Sequence, residues 1–332
     1  MSDKRFKLGF LTHVFGSDPA QGYRDLLEQF ELAEELGFDG GWIAQHHLDG
    51  GFGLLPSPLV PLAAIATRTR RIELGTGVVV LPLEHAVRLA EDAAVLDTLS
   101  NGRVQLGLGS GGANLEVFEA FERETEWRQD DFRRQQQALQ RILAGESLVA
   151  ERQVTLQPPA ADLRQRLWHS ASTTEGAAYA ASQQNGLLIG TATHNPETVQ
   201  KPLAEAYLSA WTASARPPRI GVVRAVFPAA DREQARAELA ADINRHIDRL
   251  LREGVIDQPQ TLEDHLFHLN VHYGHPRDIV RGLKEDPAFL GYADYFLPVV
   301  QSETSSQEQV LRRLEILATE IAPALGWQAG RH

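Results

Sequence analysis

The sequence predicts an α/β chain folded as a single (β/α)8 TIM barrel with insertions. Short apolar runs alternate with stretches whose apolar residues recur at helical spacing, and eight such units follow one another between Leu8 and Ile321. Strands alternating with helices imply a parallel sheet covered by helices, and eight units suggest closure into a barrel over an open sheet. The chain has 332 residues, a normal length for one barrel of roughly 250 residues plus insertions.

The elements are justified in chain order. Leu8 to Val14 reads as the first strand. Tyr23, Leu26, Leu27, Phe30 and Ala33 then share one helical face, and Gly37 stops that helix. Gly41 to Ala44 is the second strand, and Pro58 to Arg68 a helix opening at a proline. Ile72 to Thr76 is strand three, followed by a helix over Ala86–Leu99. Asn101-Gly102 turns the chain into Val104–Leu108, strand four, and Phe132–Leu143 is the next helix. An irregular piece from Ala144 to Arg166 contains Pro158-Pro159. It reads as an insertion, because the alternation resumes after it. Leu167–Ala171 is strand five, Thr173–Gln184 a helix, Leu187–Ile189 strand six, and Pro196–Ala210 helical. Arg219–Phe227 is strand seven, Arg232–Leu251 a long helix, and Tyr292–Leu297 strand eight. Val310, Leu311, Leu314, Leu317 and Ile321 form a last helical face.

Composition narrows the function. The net charge of -12 disfavours nucleic acid and anionic membranes as partners. Cysteine is absent, which excludes disulfides, thiolate metal sites and a cysteine nucleophile. The start of the chain leads straight into a strand with no apolar leader, so a cytoplasmic location is expected.

Function in such a barrel sits at the carboxyl ends of the strands, and four segments there carry polar or glycine-rich residues. The first is Gln45-His46-His47. Adjacent strand residues point to opposite sides, so at most one histidine looks down the barrel axis. It would serve as base, proton shuttle or metal ligand, against the plain alternative of a loop histidine bonded to backbone. The second is Gly75-Thr76-Gly77-Val78, where glycines allow close approach to a flat ligand or merely a tight strand exit. The third is Gly107-Leu108-Gly109-Ser110-Gly111-Gly112. It satisfies G-x-G-x-x-G, but it belongs to the fourth unit, so a dinucleotide site is rejected; an anion site or an ordinary loop remains. The fourth is His169-Ser170-Ala171-Ser172-Thr173-Thr174-Glu175, where a strand enters a helix. It reads as a phosphate site or as a capping box of Ser172 with Glu175. Phe121, Trp127 and Tyr273 are aromatic residues for a pocket or for the core.

Taken together, these segments resemble the bacterial-luciferase family of flavin-dependent monooxygenases, in order and over most of the chain. Gly37-Phe38-Asp39, Trp42 and His46-His47 resemble the second unit of that family. Leu74-Gly75-Thr76 through Leu81-Pro82, then His85, Arg88, Ala90-Glu91-Asp92 and Leu96-Asp97, resemble the third, and Ser100-Asn101-Gly102-Arg103 leading to Gly107 the fourth. Ser170 to Glu175 is similar to the family's flavin-phosphate segment. The resemblance implies a luciferase-like barrel with His46 as the catalytic histidine beside the flavin ring. It implies a non-proline cis peptide at Gly77-Val78 against that ring. Ser170, Thr173 and the backbone at His169 are implied phosphate contacts, with Arg133 as a phosphate arginine.

Departures accompany the match. Ser110 stands where luciferase has an arginine, leaving loop amides or Arg133 to compensate. Gly109 replaces a reactive cysteine, and Gln45 replaces the usual glutamate. The lid segment, near 252–270, is shorter. These changes put light emission and long-chain aldehyde in doubt.

The implied activity is a monooxygenase reaction in which reduced FMN is a co-substrate with oxygen and a small organic molecule is oxygenated. The implied partners are a separate NAD(P)H-dependent flavin reductase and a second copy in a homodimer. Competing readings are a deazaflavin-dependent oxidoreductase, a flavin-binding protein without catalysis, and a metal-dependent hydrolase using His46, His47, His169 and His194. Adjacent histidines suit the hydrolase poorly, since ligating histidines sharing a strand are usually one residue apart.

Overall fold

The computed structural model describes residues 6–48, 53–112, 115–190, 195–212, 216–252, 256–258 and 260–329. Ten strands run β1 Lys7–Thr12, β2 Gly40–Ile43, β3 Glu73–Thr76, β4 Val79–Val80, β5 Val104–Gly109, β6 Leu167–Ser170, β7 Gly186–Ile189, β8 Ile220–Pro228, β9 His272–Gly274 and β10 Tyr295–Val299. All their pairings are parallel. The sheet order runs β10-β1-β2-β3-β5-β6-β7-β8, and β10 pairs with β8 to close the barrel. The two extra strands are short: β4 continues the β3 side onto β5, and β9 extends the far end of β8.

Local chemistry sets the elements. The first helix, Pro19–Glu35, opens where the Asp18 side chain accepts from the Gln21 N–H at 3.1 Å. It ends on Gly37, whose φ of +85° is open to glycine without penalty. The N–H of Gly37 bonds Glu34 O and that of Phe38 bonds Ala33 O, a Schellman ending. Phe30 of this helix meets Phe10 of β1 edge-on with ring centroids 5.0 Å apart. Both are fully buried, each contributing about 1.5–3 kcal/mol by leaving water.

Two cores divide the faces of the barrel wall. The outer core joins the strands to the surrounding helices through residues such as Leu8, Phe10, Ile43, Leu74, Leu106 and Val222. The inner core holds Leu11, Trp42, Ala44, Trp168, Leu188, Tyr295 and Leu297, with Val78, Val223 and Val299 packed on it. The two indoles need room, and glycines opposite supply it: a Cβ at Gly75 would strike the Trp42 ring, and one at Gly186 the Trp168 ring. The interior is thus a packed core and not a pore.

Several sequence expectations are corrected. Strand eight is Tyr295–Val299, because Asp286 caps a short helix over Pro287–Tyr292, accepting from the N–H groups of Ala288 and Phe289. The expected capping box of Ser172 with Glu175 is displaced by one residue. Thr173 caps the helix Thr174–Ser182 by accepting from Gly176 N–H at 3.1 Å. The stretch from Pro196 opens as a π turn over Pro196–Gln200 before the α-helix Lys201–Ala210. After β8, the helices Arg232–Arg252 and Leu262–His268 and strand β9 share a small core of their own around Leu239, Ile243, Ile247 and Leu266. The expected lid falls in this region, and its residues 253–255 and 259 lie outside the described residues. Among the described residues, no helix is long and apolar enough to cross a membrane.

Candidate active site

The inner face of the barrel carries upward to the carboxyl-terminal mouth. On β2, Trp42 and Ala44 face inward, and parity places His46 on the same side and His47 on the other. His46 is half-buried, and its N–H donates to Leu55 O at 3.0 Å. The ring of His47 instead meets Phe121 edge-on at 4.9 Å. Its Nε2 is buried without a partner, and burial pushes its pKa down.

Gln45, the residue before the pair, is buried and joins three segments. It accepts from Val80 N–H at 2.6 Å and donates to Pro56 O at 3.0 Å and to Glu84 Oε1 at 3.2 Å. Burial raises the pKa of Glu84, with Asp92 adding to the rise and the Gln45 bond opposing it. A glutamine can accept from one side and donate to a carboxylate on the other. A glutamate at 45 would instead set two carboxylates against each other.

Beside β2, the chain makes its one-residue register change. Gly75 pairs with Gln105 and Val79 with Leu108, four steps on one side against three on the other. The extra residue falls at the Gly77–Val78 peptide, which is cis. Thr76 bridges the gap: its hydroxyl donates to Gly107 O and accepts from Gly107 N–H, both at 2.9 Å. The outcome is that Val78 leans over the inner core and against Gly109. A Cβ built on Gly109 would lie 2.5 Å from Val78 Cγ2 and 4.0 Å from Ser170 Cβ. Ser110, next in the loop, is half-buried, and its hydroxyl accepts from Gln129 at 3.0 Å.

Strand β6 splits its last two residues. Ser170 follows Trp168 on the inner face. His169 turns outward, buried between Phe132 at 4.5 Å and Tyr179 at 5.8 Å. Its Nδ1 has no partner. Burial, and then the Arg133 charge, hold its pKa down to about 4. Arg133 itself is exposed on the helix Arg128–Leu143 and lies over the Tyr179 ring at 5.2 Å. It makes no ion pair among the described residues. Thr173 is exposed at the start of the next helix, whose free N–H groups and dipole favour an anion.

Thus the structure brings His46, Val78, Gly109 and Ser170 to one mouth, with Thr173 and Arg133 on its β6 side. It does not bring His46, His47 and His169 together. His46 and His169 lie on opposite faces of the wall, and His194 lies outside the described residues. Among the described residues, no three His, Cys, Asp or Glu are grouped to hold a metal. Trp127 is 61% exposed and Phe121 37%, on the loop after β5, so neither is core. Tyr273 is buried and lines a separate cavity of about 570 Å³ with Arg232, Phe267 and His272.

Sequence reasoning missed His13. It stands just beyond β1, two residues after inward Leu11, and its ring stacks on His46 with centroids 5.4 Å apart and planes 20° apart. Burial, and then His46, depress its pKa to about 3. The available signal was parity: a histidine in step with the inward residues of its strand.

The family model for luciferase-like monooxygenases matches residues 5–286. The chain belongs to that family. Among relatives, a 4-hydroxyprotoasukamycin monooxygenase from Streptomyces nodosus subsp. asukaensis is 42% identical over 99 residues, 30% of this chain and 26% of its own length. The oxygenase component of a flavin-dependent trigonelline monooxygenase from Acinetobacter baylyi is 35% identical over 96 residues, 29% of this chain and 26% of its own. The chain therefore matches about a quarter of the length of these curated relatives. Solved structures align throughout. A monooxygenase from Streptomyces bottropensis gives a TM-score of 0.81 at 23% identity, covering 96% of this chain and 99% of its own. The oxygenating constituent of 3,6-diketocamphane monooxygenase from Pseudomonas putida, in complex with FMN, gives 0.77 at 17%, covering 96% and 98%. A coenzyme F420-dependent tetrahydromethanopterin reductase from Methanopyrus kandleri gives 0.69 at 16%, covering 97% and 99%. At these identities the likeness is one of fold.

Proposed function

We propose that this luciferase-like chain is the oxygenase of a two-component monooxygenase, using reduced FMN and oxygen to place one oxygen atom on a small organic substrate. The observation that carries the reading is the cluster at the mouth: His46, Val78, Gly109 and Ser170 converge where an open helix N-terminus and the Arg133 guanidinium stand to one side. The residues fit FMN. Gly109 leaves the room that Val78 fills, so Val78 is not pushed towards the mouth where a flat ring would lie. Ser170, the Thr173 turn with the backbone at His169, and Arg133 suit a phosphate. Ser110, bonded to Gln129, offers a hydroxyl in place of a charge.

Bound reduced FMN supplies the electrons for oxygen activation. The chain's own tasks are narrower. Ser170, Thr173 and Arg133 anchor the phosphate and so orient the ring. The Gly77–Val78 turn supports it from the barrel side. His46 holds or moves a proton beside it. A separate NAD(P)H-dependent reductase delivers the reduced flavin, a reading supported by the relative named as an oxygenase component. Exposed Val60, Val95 and Leu99 on packed neighbouring helices offer an apolar face to a second copy.

Anaerobic spectroscopic titration with reduced FMN, oxidised FMN and a deazaflavin tests the proposal. Saturable binding of reduced FMN is expected. Binding of the deazaflavin alone would move the chain to hydride transfer, and binding of none would end the flavin reading.

A further inference from the structure

We propose that His13 is a positioning residue for His46, its ring holding the His46 imidazole in place at the barrel mouth. The inference rests on the reading above for what His46 does, though the ring contact itself does not.

The contact begins in the sheet. β1 pairs with β2 from Gly9 with Gly40 to Thr12 with Ile43, so the segments leaving the two strands emerge side by side. Phe15, His13 and His46 then form a column of three rings. Phe15 and His13 are 5.2 Å apart with planes 18° apart, and His13 and His46 are 5.4 Å apart with planes 20° apart. His13 is therefore flanked by two near-parallel rings, one of them that of His46.

The column is clamped from behind by the segment that follows His46. Leu54 N–H donates to Val14 O at 2.7 Å, and His46 N–H donates to Leu55 O at 3.0 Å. Two consecutive residues thus tie the β1 exit to the β2 exit. Gly53 makes the turn into this clamp at a φ of +122°, in the left-handed region, against Val14 O. A ring set against one face narrows the χ2 values open to an imidazole at a strand exit.

His13 works through its ring face and not as an acid or base. Its Nδ1 is buried with no hydrogen-bond partner, and it stays neutral in any working range because burial and His46 disfavour its cation. Phenylalanine offers the same flat neutral face, so His13→Phe should substitute for it where His13→Ala does not.

The test uses the full chain with 13C-labelled histidine, the His46 ring signal being assigned with His46→Gln. In His13→Ala the His46 signal should lose its ring-current displacement, and oxidation of bound reduced FMN by oxygen should change at least fivefold in rate. The dissociation constant for reduced FMN should stay within threefold. In His13→Phe both the displacement and the rate should return towards wild type. An unmoved His46 signal in His13→Ala overturns the proposal. So does a His13→Phe protein with the signal restored and the rate not, since the nitrogens would then matter. Failure of wild-type protein to bind reduced FMN would remove the flavin reading while leaving the signal shift to be read independently.

Discussion

Val78 occupies the space that a side chain on Gly109 would need, its Cγ2 lying 2.5 Å from the position of a Cβ there. The relationship couples the residue that leads into β4 to the carboxyl end of β5, at the point where the register slips by one residue. Gly109→Ala should push Val78 towards the mouth. We expect at least tenfold weaker binding of reduced FMN, with a stability loss of about 1–3 kcal/mol typical of overpacking. Anaerobic titration and urea denaturation measure the two separately. Unchanged flavin affinity would show that this face is not the ring site.

Arg133 is exposed, lies over Tyr179 and carries no ion pair among the described residues. If it serves the flavin phosphate, Arg133→Ala removes a charge-assisted bond of about 1.5–3 kcal/mol, or roughly 10–100-fold in affinity. Riboflavin, which has no phosphate, should bind wild type and variant alike. An equal loss for both flavins would place Arg133 elsewhere in the function.

His46 is the inward member of the histidine pair. His46→Ala should retain reduced FMN with little change in affinity and lose productive oxygenation by about 100-fold or more, the usual scale for a general acid or base. Oxygen should still be consumed and appear as hydrogen peroxide. The measurement is the ratio of product to oxygen consumed, with full coupling in the variant as the contrary result.

Buried histidines set an acid limit on stability. His169 is held down to about 4 by burial and Arg133, and His272 to about 4 by burial and Arg224, with Asp286 opposing. Below about pH 6.5 the unfolded chain takes up protons at these sites and the folded chain does not, so stability falls as pH drops towards 4 and is level above 6.5. His169 alone accounts for at most about 3 kcal/mol over that window. The melting temperature should be several degrees lower at pH 5 than at pH 7.5, and His169→Gln should flatten the slope. A melting temperature independent of pH between 4.5 and 7.5 contradicts this.

The parity of the strands was legible in the chain from the start, since it is recorded residue by residue. Trp42 and His46 share a parity, as do Trp168 and Ser170, and that alone separates His46 from His47 and Ser170 from His169. The helix over Ala86–Leu99 and its neighbours were equally plain, because a buried stripe repeats every turn. The short β9 and the helix over Pro287–Tyr292 were not, as each is too brief to show a period. The cap at Thr173 over Ser172 was decided by a single bond to Gly176 N–H, which either hydroxyl satisfies on paper.

The sequence by itself determined a barrel of alternating strands and helices and which segments end at its mouth, because burial patterns and turn chemistry are local. The tertiary structure decided which of those residues meet. Closure of β10 on β8, Val78 against Gly109, and His13 stacked on His46 all join segments from different strands. Such contacts depend on register and ring orientation, which no run of neighbouring residues encodes.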